Sequence, residues 1–129
     1  MITMTTAVIY SSKTGNTRKV AESIAQKIGA EAINVKGCGD ISGYDRIILG
    51  CGVYAGKPAK VMTKFVEANK DRLSNASLFV TCLYNDEKGA KQLETIADNF
   101  GIADAIFFDK AKKQIGVEGS KLEEYIASL

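Results

Sequence analysis

Between residues 10 and 18 the chain reads Tyr10-Ser11-Ser12-Lys13-Thr14-Gly15-Asn16-Thr17-Arg18, five hydroxyl side chains and one glycine in nine positions. An apolar run, Ala7-Val8-Ile9, precedes it, and Val20, Ile24 and Ile28 follow at helical spacing. A strand, a glycine-containing turn and a helix in that order make an anion site, because the first turn of a helix has unpaired N–H groups and partial positive charge. Ser12, Thr14 and Thr17 offer neutral donors, and Gly15 lets the backbone approach a ligand. Hydroxyl residues also cap helices and decorate turns, and Asn16 or Thr17 is placed to cap the helix that carries Val20. The dinucleotide pattern GxGxxG is absent, since Gly15 is the only glycine in the loop. The triphosphate pattern GxxxxGK[ST] is missing as well. A monophosphate fits best.

Working outward, short β-branched or aromatic runs occur at Ala7–Tyr10, Ile33–Val35, Ile47–Leu49, Leu78–Val80 and Ala105–Phe108, and each is predicted as a strand. Helical spacing separates them, in Val20/Ile24/Ile28, Val61/Phe65/Val66, Leu93/Ile96/Ala97/Phe100 and Leu122/Tyr125/Ile126/Leu129. Strands alternating with helices predict a doubly wound α/β sandwich with a parallel sheet, apolar strands being covered on both faces. Lys36 to Tyr44 is short and glycine-rich, so that connection is expected to be a loop or a single turn. Pro58 falls near the start of the helix carrying Val61, where its missing N–H costs nothing. Ligands in such sheets gather beyond the carboxyl ends of the strands, which singles out Ser11–Thr17, Cys51–Lys57 and Thr81–Lys88.

Composition limits the alternatives. The 129 residues suit a single domain, 1–129, with 46% hydrophobic and 25% charged residues. A formal charge of +2 argues against nucleic acid or an anionic membrane as the main partner. There is no histidine, which removes histidine acid–base chemistry, and the three cysteines, Cys38, Cys51 and Cys82, lack the spacing of a zinc site or a disulfide framework. No leader peptide or membrane-spanning run is visible, so a cytoplasmic protein without an integral membrane segment is expected. Cys51 and Cys82 fall near the ends of adjacent predicted strands and suit small buried positions, while Cys38 lies in the glycine-rich loop and is the better candidate for an exposed thiol.

Ser12-Lys13-Thr14-Gly15-Asn16-Thr17 closely resembles the flavodoxin signature Ser/Thr-x-Thr-Gly-x-Thr, which follows the first strand and wraps the phosphate of FMN. The resemblance implies a flavodoxin-like three-layer α/β sandwich, with a five-stranded parallel sheet in the order 2-1-3-4-5 and helices on both faces. It implies FMN as cofactor, with Ser12, Thr14, Asn16 and Thr17 as phosphate ligands and the backbone N–H groups from Lys13 through Gly15 to Thr17 in support. Lys13 and Arg18 depart from the neutral donor set usual in that family; each either adds a charge-assisted contact or points to solvent.

The same likeness assigns the flavin ring to the other two loops, Gly52-Val53-Tyr54-Ala55-Gly56 and Cys82-Leu83-Tyr84 with Asp86. Tyr54 and Tyr84 then flank the ring, and the peptide that turns its carbonyl toward flavin N5 is either Tyr54-Ala55 or Ala55-Gly56. Two surface tyrosines are the plain alternative. Asp86 and Glu87 retain some of the acidity usual beside the ring, which works against an anionic reduced flavin.

Three functions are open to such a chain. By resemblance it is an electron carrier between redox proteins, cycling its flavin through oxidised, semiquinone and hydroquinone states, as a monomer or weak dimer. The segments Tyr44–Gly50, Lys64–Val66 and Arg72-Leu73 are similar to the flavodoxin-like protoporphyrinogen dehydrogenases, so an FMN-dependent oxidoreductase is the alternative. That subfamily has a long basic insertion near the last strand, where this chain has only Asp109 to Glu118. A receiver domain needs aspartates where Ser11 and Cys51 stand. Flavodoxins are usually acidic, whereas Lys57, Lys60 and Lys64 lie near a ligand loop here, which suggests either a partner surface less basic than usual, or even acidic, or else the solvated side of a helix.

Overall fold

A computed structural model of the chain describes residues 5–12, 15–52, 58–73, 76–82, 86–109 and 111–129. Five strands, β1 (Thr6–Tyr10), β2 (Glu31–Asn34), β3 (Arg46–Gly52), β4 (Ser77–Cys82) and β5 (Asp104–Asp109), form one sheet. The order is β2-β1-β3-β4-β5 and every pairing is parallel, as expected from the sequence. Five α-helices accompany it: α1 (Asn16–Ile28), α2 (Lys60–Ala68), α3 (Asp86–Phe100), α4 (Ala111–Gln114) and α5 (Lys121–Ser128).

Strand alternation sorts the apolar residues into two cores. Ala7, Ile9, Leu49, Cys51, Leu78 and Val80 form one with Met62 and Val66 of α2 and Ile96 and Phe100 of α3. Val8, Tyr10, Ile48, Phe79 and Phe108 form the other with Val20 and Ile24 of α1 and Leu122, Tyr125 and Ile126 of α5. The chain therefore has three layers, helices on each side of a sheet that is apolar on both faces through its centre.

Two parts of the architecture differ from the periodicity. β2 lies at the edge, with only partial burial, and Val35, expected in the strand, begins a single 3-10 turn (Val35–Gly37). The rest of the connection to β3 is loop and turn, as its glycines suggest. The short helix α4 has no apolar repeat to announce it. It is followed by glycines with positive φ at 116 and 119, and α5 is then capped by Ser120, whose hydroxyl accepts from the Glu123 N–H.

Gly50 shows how tightly β3 and β4 meet. The two strands pair Gly50 with Phe79, and a β-carbon at Gly50 would lie 2.1 Å from Phe79 Cζ. The glycine thus admits the ring, which continues in a tilted contact to Phe108 and an edge contact from Phe108 to Tyr125. No helix among the described residues is long and apolar enough to cross a membrane.

Candidate functional site

β1 and β3 are neighbours in the sheet, but their connections leave in opposite directions, so the end of β1 is the place where the strand order reverses. At that end the Ser11 N–H donates to the Gly50 carbonyl at 3.0 Å, which continues the pairing one residue beyond β1. The Gly15 N–H donates to Ser12 Oγ at 2.9 Å and closes a small turn. Gly15 itself is left-handed, with φ of 88°, a conformation that costs other residues about 1–2 kcal/mol.

Gly15, and neither Asn16 nor Thr17, is the N-cap of α1, and among the described residues no side chain caps this end. The Gly15 carbonyl accepts the first intrahelical bond from the Lys19 N–H at 3.1 Å. The first turn also contains no acidic residue to neutralise the helix dipole. Both features leave the α1 N-terminus open to an external anion.

Thr17 does not cap because its hydroxyl is used elsewhere. The side chain is buried, and Thr17 Oγ1 lies 2.8 Å from Thr81 Oγ1 at the end of β4. Thr81 belongs to the third loop region flagged in the sequence, but no motif singled it out. Its signal is its place on β4, where Ser77, Phe79 and Thr81 share the α1/α5 face. In the same loop as Thr17, Ser11 is 2% exposed, and its Oγ has no hydrogen-bond partner among the described residues. A buried hydroxyl without a partner is uncommon and calls for a ligand or a water.

The other sequence candidates fall as follows. Ser12, Gly15, Asn16 and Thr17 come together at the α1 N-terminus. Gly52 ends β3 and is buried, Cys82 ends β4, and Asp86 is the first residue of α3. Gly52 pairs with Thr81 across the sheet, so the ends of β3 and β4 adjoin. Lys13, Thr14, Val53, Tyr54, Ala55, Gly56, Leu83 and Tyr84 lie outside the described residues. Arg18 is exposed and pairs with Glu22 one turn further along α1, with its Nε 2.8 Å from Glu22 Oε1. That carboxylate raises the guanidinium pKa, first through the hydrogen bond and then through its charge. Cys51 and Cys82 are on adjacent strands but not level, since Cys51 pairs with Val80. Among the described residues no cluster of histidine, cysteine, aspartate and glutamate could hold a metal ion.

A second concavity runs between α2 and the C-terminal half of α3, with a volume of about 720 Å³. Val66, Ile96 and Phe100 supply its apolar lining, and Lys60, Lys64 and Lys70 stand along it with Glu67 as the one acid. The three lysines are exposed and make no ion pair among the described residues.

Comparison with known proteins agrees with this geometry. The flavodoxin-domain family model matches residues 7–115. Among solved structures, flavodoxin 1 from Bacillus cereus superposes with a TM-score of 0.65 at 20% identity, over 96% of this chain and 93% of that one. A WrbA-like flavodoxin from Agrobacterium tumefaciens gives 0.64 at 18% identity, over 98% and 99% of the two chains. A flavoprotein from Lactobacillus acidophilus, solved in complex with FMN, gives 0.62 at 19% identity, over 88% and 99%. With the strand order and the reversal point in agreement with the family match over residues 7–115, the chain belongs to the flavodoxin family.

Proposed function

We propose that this protein binds FMN and carries electrons between protein partners. The observation that carries the proposal is the α1 N-terminus, which follows a left-handed glycine, has no side-chain cap among the described residues and has no acid in its first turn. Such an end favours a dianionic phosphate. The donor set fits a phosphate monoester, since Ser12, Asn16 and the Thr17–Thr81 pair are neutral and the orphaned Ser11 hydroxyl adds a buried group without a partner. The FMN complex of the Lactobacillus relative supports the same cofactor here.

FMN, when bound, supplies the electron chemistry. The chain's residues bind and orient it: the turn from Ser12 to Thr17 holds the phosphate, and the ends of β3 and β4, at Gly52 and Cys82, carry the loops for the ring. The protein needs no acid–base side chain for this role, and the chain has no histidine. The alternative, an FMN-dependent oxidoreductase related to protoporphyrinogen dehydrogenase, is less favoured because the segment after β5 contains only the short α4 and the turns before α5. Lys60 and Lys64 of α2 and Lys70 just after it, without an ion pair among the described residues, favour an acidic protein partner.

The test is titration of the purified chain with FMN, followed by its visible spectrum. A bound flavin spectrum is expected, with Thr17→Val and Thr14→Val weakening FMN while leaving the far-UV circular dichroism unchanged. Absence of flavin binding after reconstitution would overturn the proposal.

A further inference from the structure

The contact between Thr17 and Thr81 joins residues 64 apart in sequence, inside the protein, at the site. Each hydroxyl has one proton and two lone pairs. When two hydroxyls meet, one proton lies between them and one is left over. The heavy-atom geometry allows either oxygen to be the donor. The two arrangements differ in what Thr17 presents to a ligand: its proton if Thr81 donates, its lone pairs if Thr81 accepts.

We propose that Thr81 is a positioning residue for the phosphate: its O–H donates to Thr17 Oγ1 and thereby leaves the Thr17 proton directed to the anion. The inference rests on the FMN reading above. A dianion beside the α1 N-terminus attracts a proton and repels lone pairs, so it selects this arrangement from the two. With Thr81 as donor, Thr17 Oγ1 stays hydrogen-bonded inside the protein while its own proton faces the anion.

β4 contains its own control. Ser77 lies on the same face at the other end of the strand, and its Oγ is 2.6 Å from Tyr125 Oη, also buried. Both bonds tie β4 to a helix, Ser77 to α5 and Thr81 to α1. Only the second reaches the anion site, so the two should separate in a binding measurement even though both affect stability.

The experiment compares dissociation constants for FMN and for riboflavin, which lacks the phosphate, by flavin fluorescence titration of the full chain. Thr81→Val should weaken FMN roughly 5–20-fold, the effect of leaving the Thr17 hydroxyl unoriented toward the anion, and leave riboflavin within about twofold. Thr81→Ser, which restores the hydroxyl, should bind FMN like the wild type. Ser77→Ala should lower thermal stability without changing the ratio of the two constants. If Thr81→Val fails to fold, Thr81→Ala takes its place with the same expectation. Wild-type FMN affinity in the hydroxyl-less variant, or equal losses for FMN and riboflavin, would overturn the role of Thr81 while sparing the function. A wild-type chain that binds no FMN would instead overturn the function and this role with it.

Discussion

Cys51 is fully buried in the core beneath α2 and α3, and burial pushes its thiol from an ordinary value near 9 up to about 12. Tyr125 rises from 10 to about 12, chiefly by burial, against an opposing effect of its hydrogen bond to Ser77. In both cases the folded chain holds its proton more tightly than the unfolded chain. Their contribution to stability is therefore complete below pH 9–10 and declines as pH rises toward about 12. Urea unfolding at pH 8, 10 and 11 should show the midpoint falling, and Cys51→Ala should flatten the part of that fall that begins near pH 9. An unchanged midpoint would contradict it. Cys38 is only half-buried, with its thiol raised by partial desolvation. A thiol reagent at pH 8 should accordingly label Cys38 in the native protein and reach Cys51 only after unfolding, which peptide mapping would check.

At the scale of elements, β3 and β4 show what a sequence pattern conveys and what it omits. Runs such as Ile47-Ile48-Leu49 and Leu78-Phe79-Val80 announce strands because β-branched and aromatic side chains suit a pleated surface. They do not announce that Gly50 must lack a side chain, because that depends on which residue faces it across the sheet. With the Phe79 ring 2.1 Å from a would-be β-carbon, Gly50→Ala forces the ring and its Phe108 and Tyr125 neighbours to shift. A loss of roughly 1–3 kcal/mol in unfolding free energy is expected, measured by chemical denaturation. Gly15→Ala meets no atom within 4 Å, yet its φ of +88° strains any other residue. It should cost about 1–2 kcal/mol by the same measurement and weaken FMN as well. The loop motif was legible for a related reason. Ser12 to Thr17 is a local pattern whose spacing alone places it on a strand–turn–helix, whereas Thr81 joins the site only through the fold. Likewise α4 was invisible, having too few residues for a repeat, and Asn16 and Thr17 looked like caps until Gly15 took that position.

For the whole molecule, alternation of strand and helix was enough to reach the layered architecture, since two-sided apolar strands and right-handed crossovers leave few other solutions. Edge effects were harder to foresee, as in β2, whose half-exposed residues follow from having one neighbour strand. Charge is also a property of the whole surface. The formal +2 is small, but its distribution is uneven, with Lys60, Lys64 and Lys70 along one groove, without an ion pair among the described residues, and Glu67 the acid that lines it with them. Exposed charges of this kind add little to stability and act mainly on encounter with a partner, where ionic strength screens them within about 10 Å at 0.1 M salt. The expected outcome is that the flavin-loaded protein accepts electrons faster from a reduced acidic ferredoxin, used as probe, than from a basic cytochrome, with a rate that falls as salt is raised. Reversing the three lysines to glutamate should slow the ferredoxin reaction about tenfold or more at low salt, invert its salt dependence so that the rate rises as salt is added, and leave FMN affinity unchanged. Stopped-flow traces at two ionic strengths would check this, and a triple variant as fast as the wild type would detach the groove from partner binding.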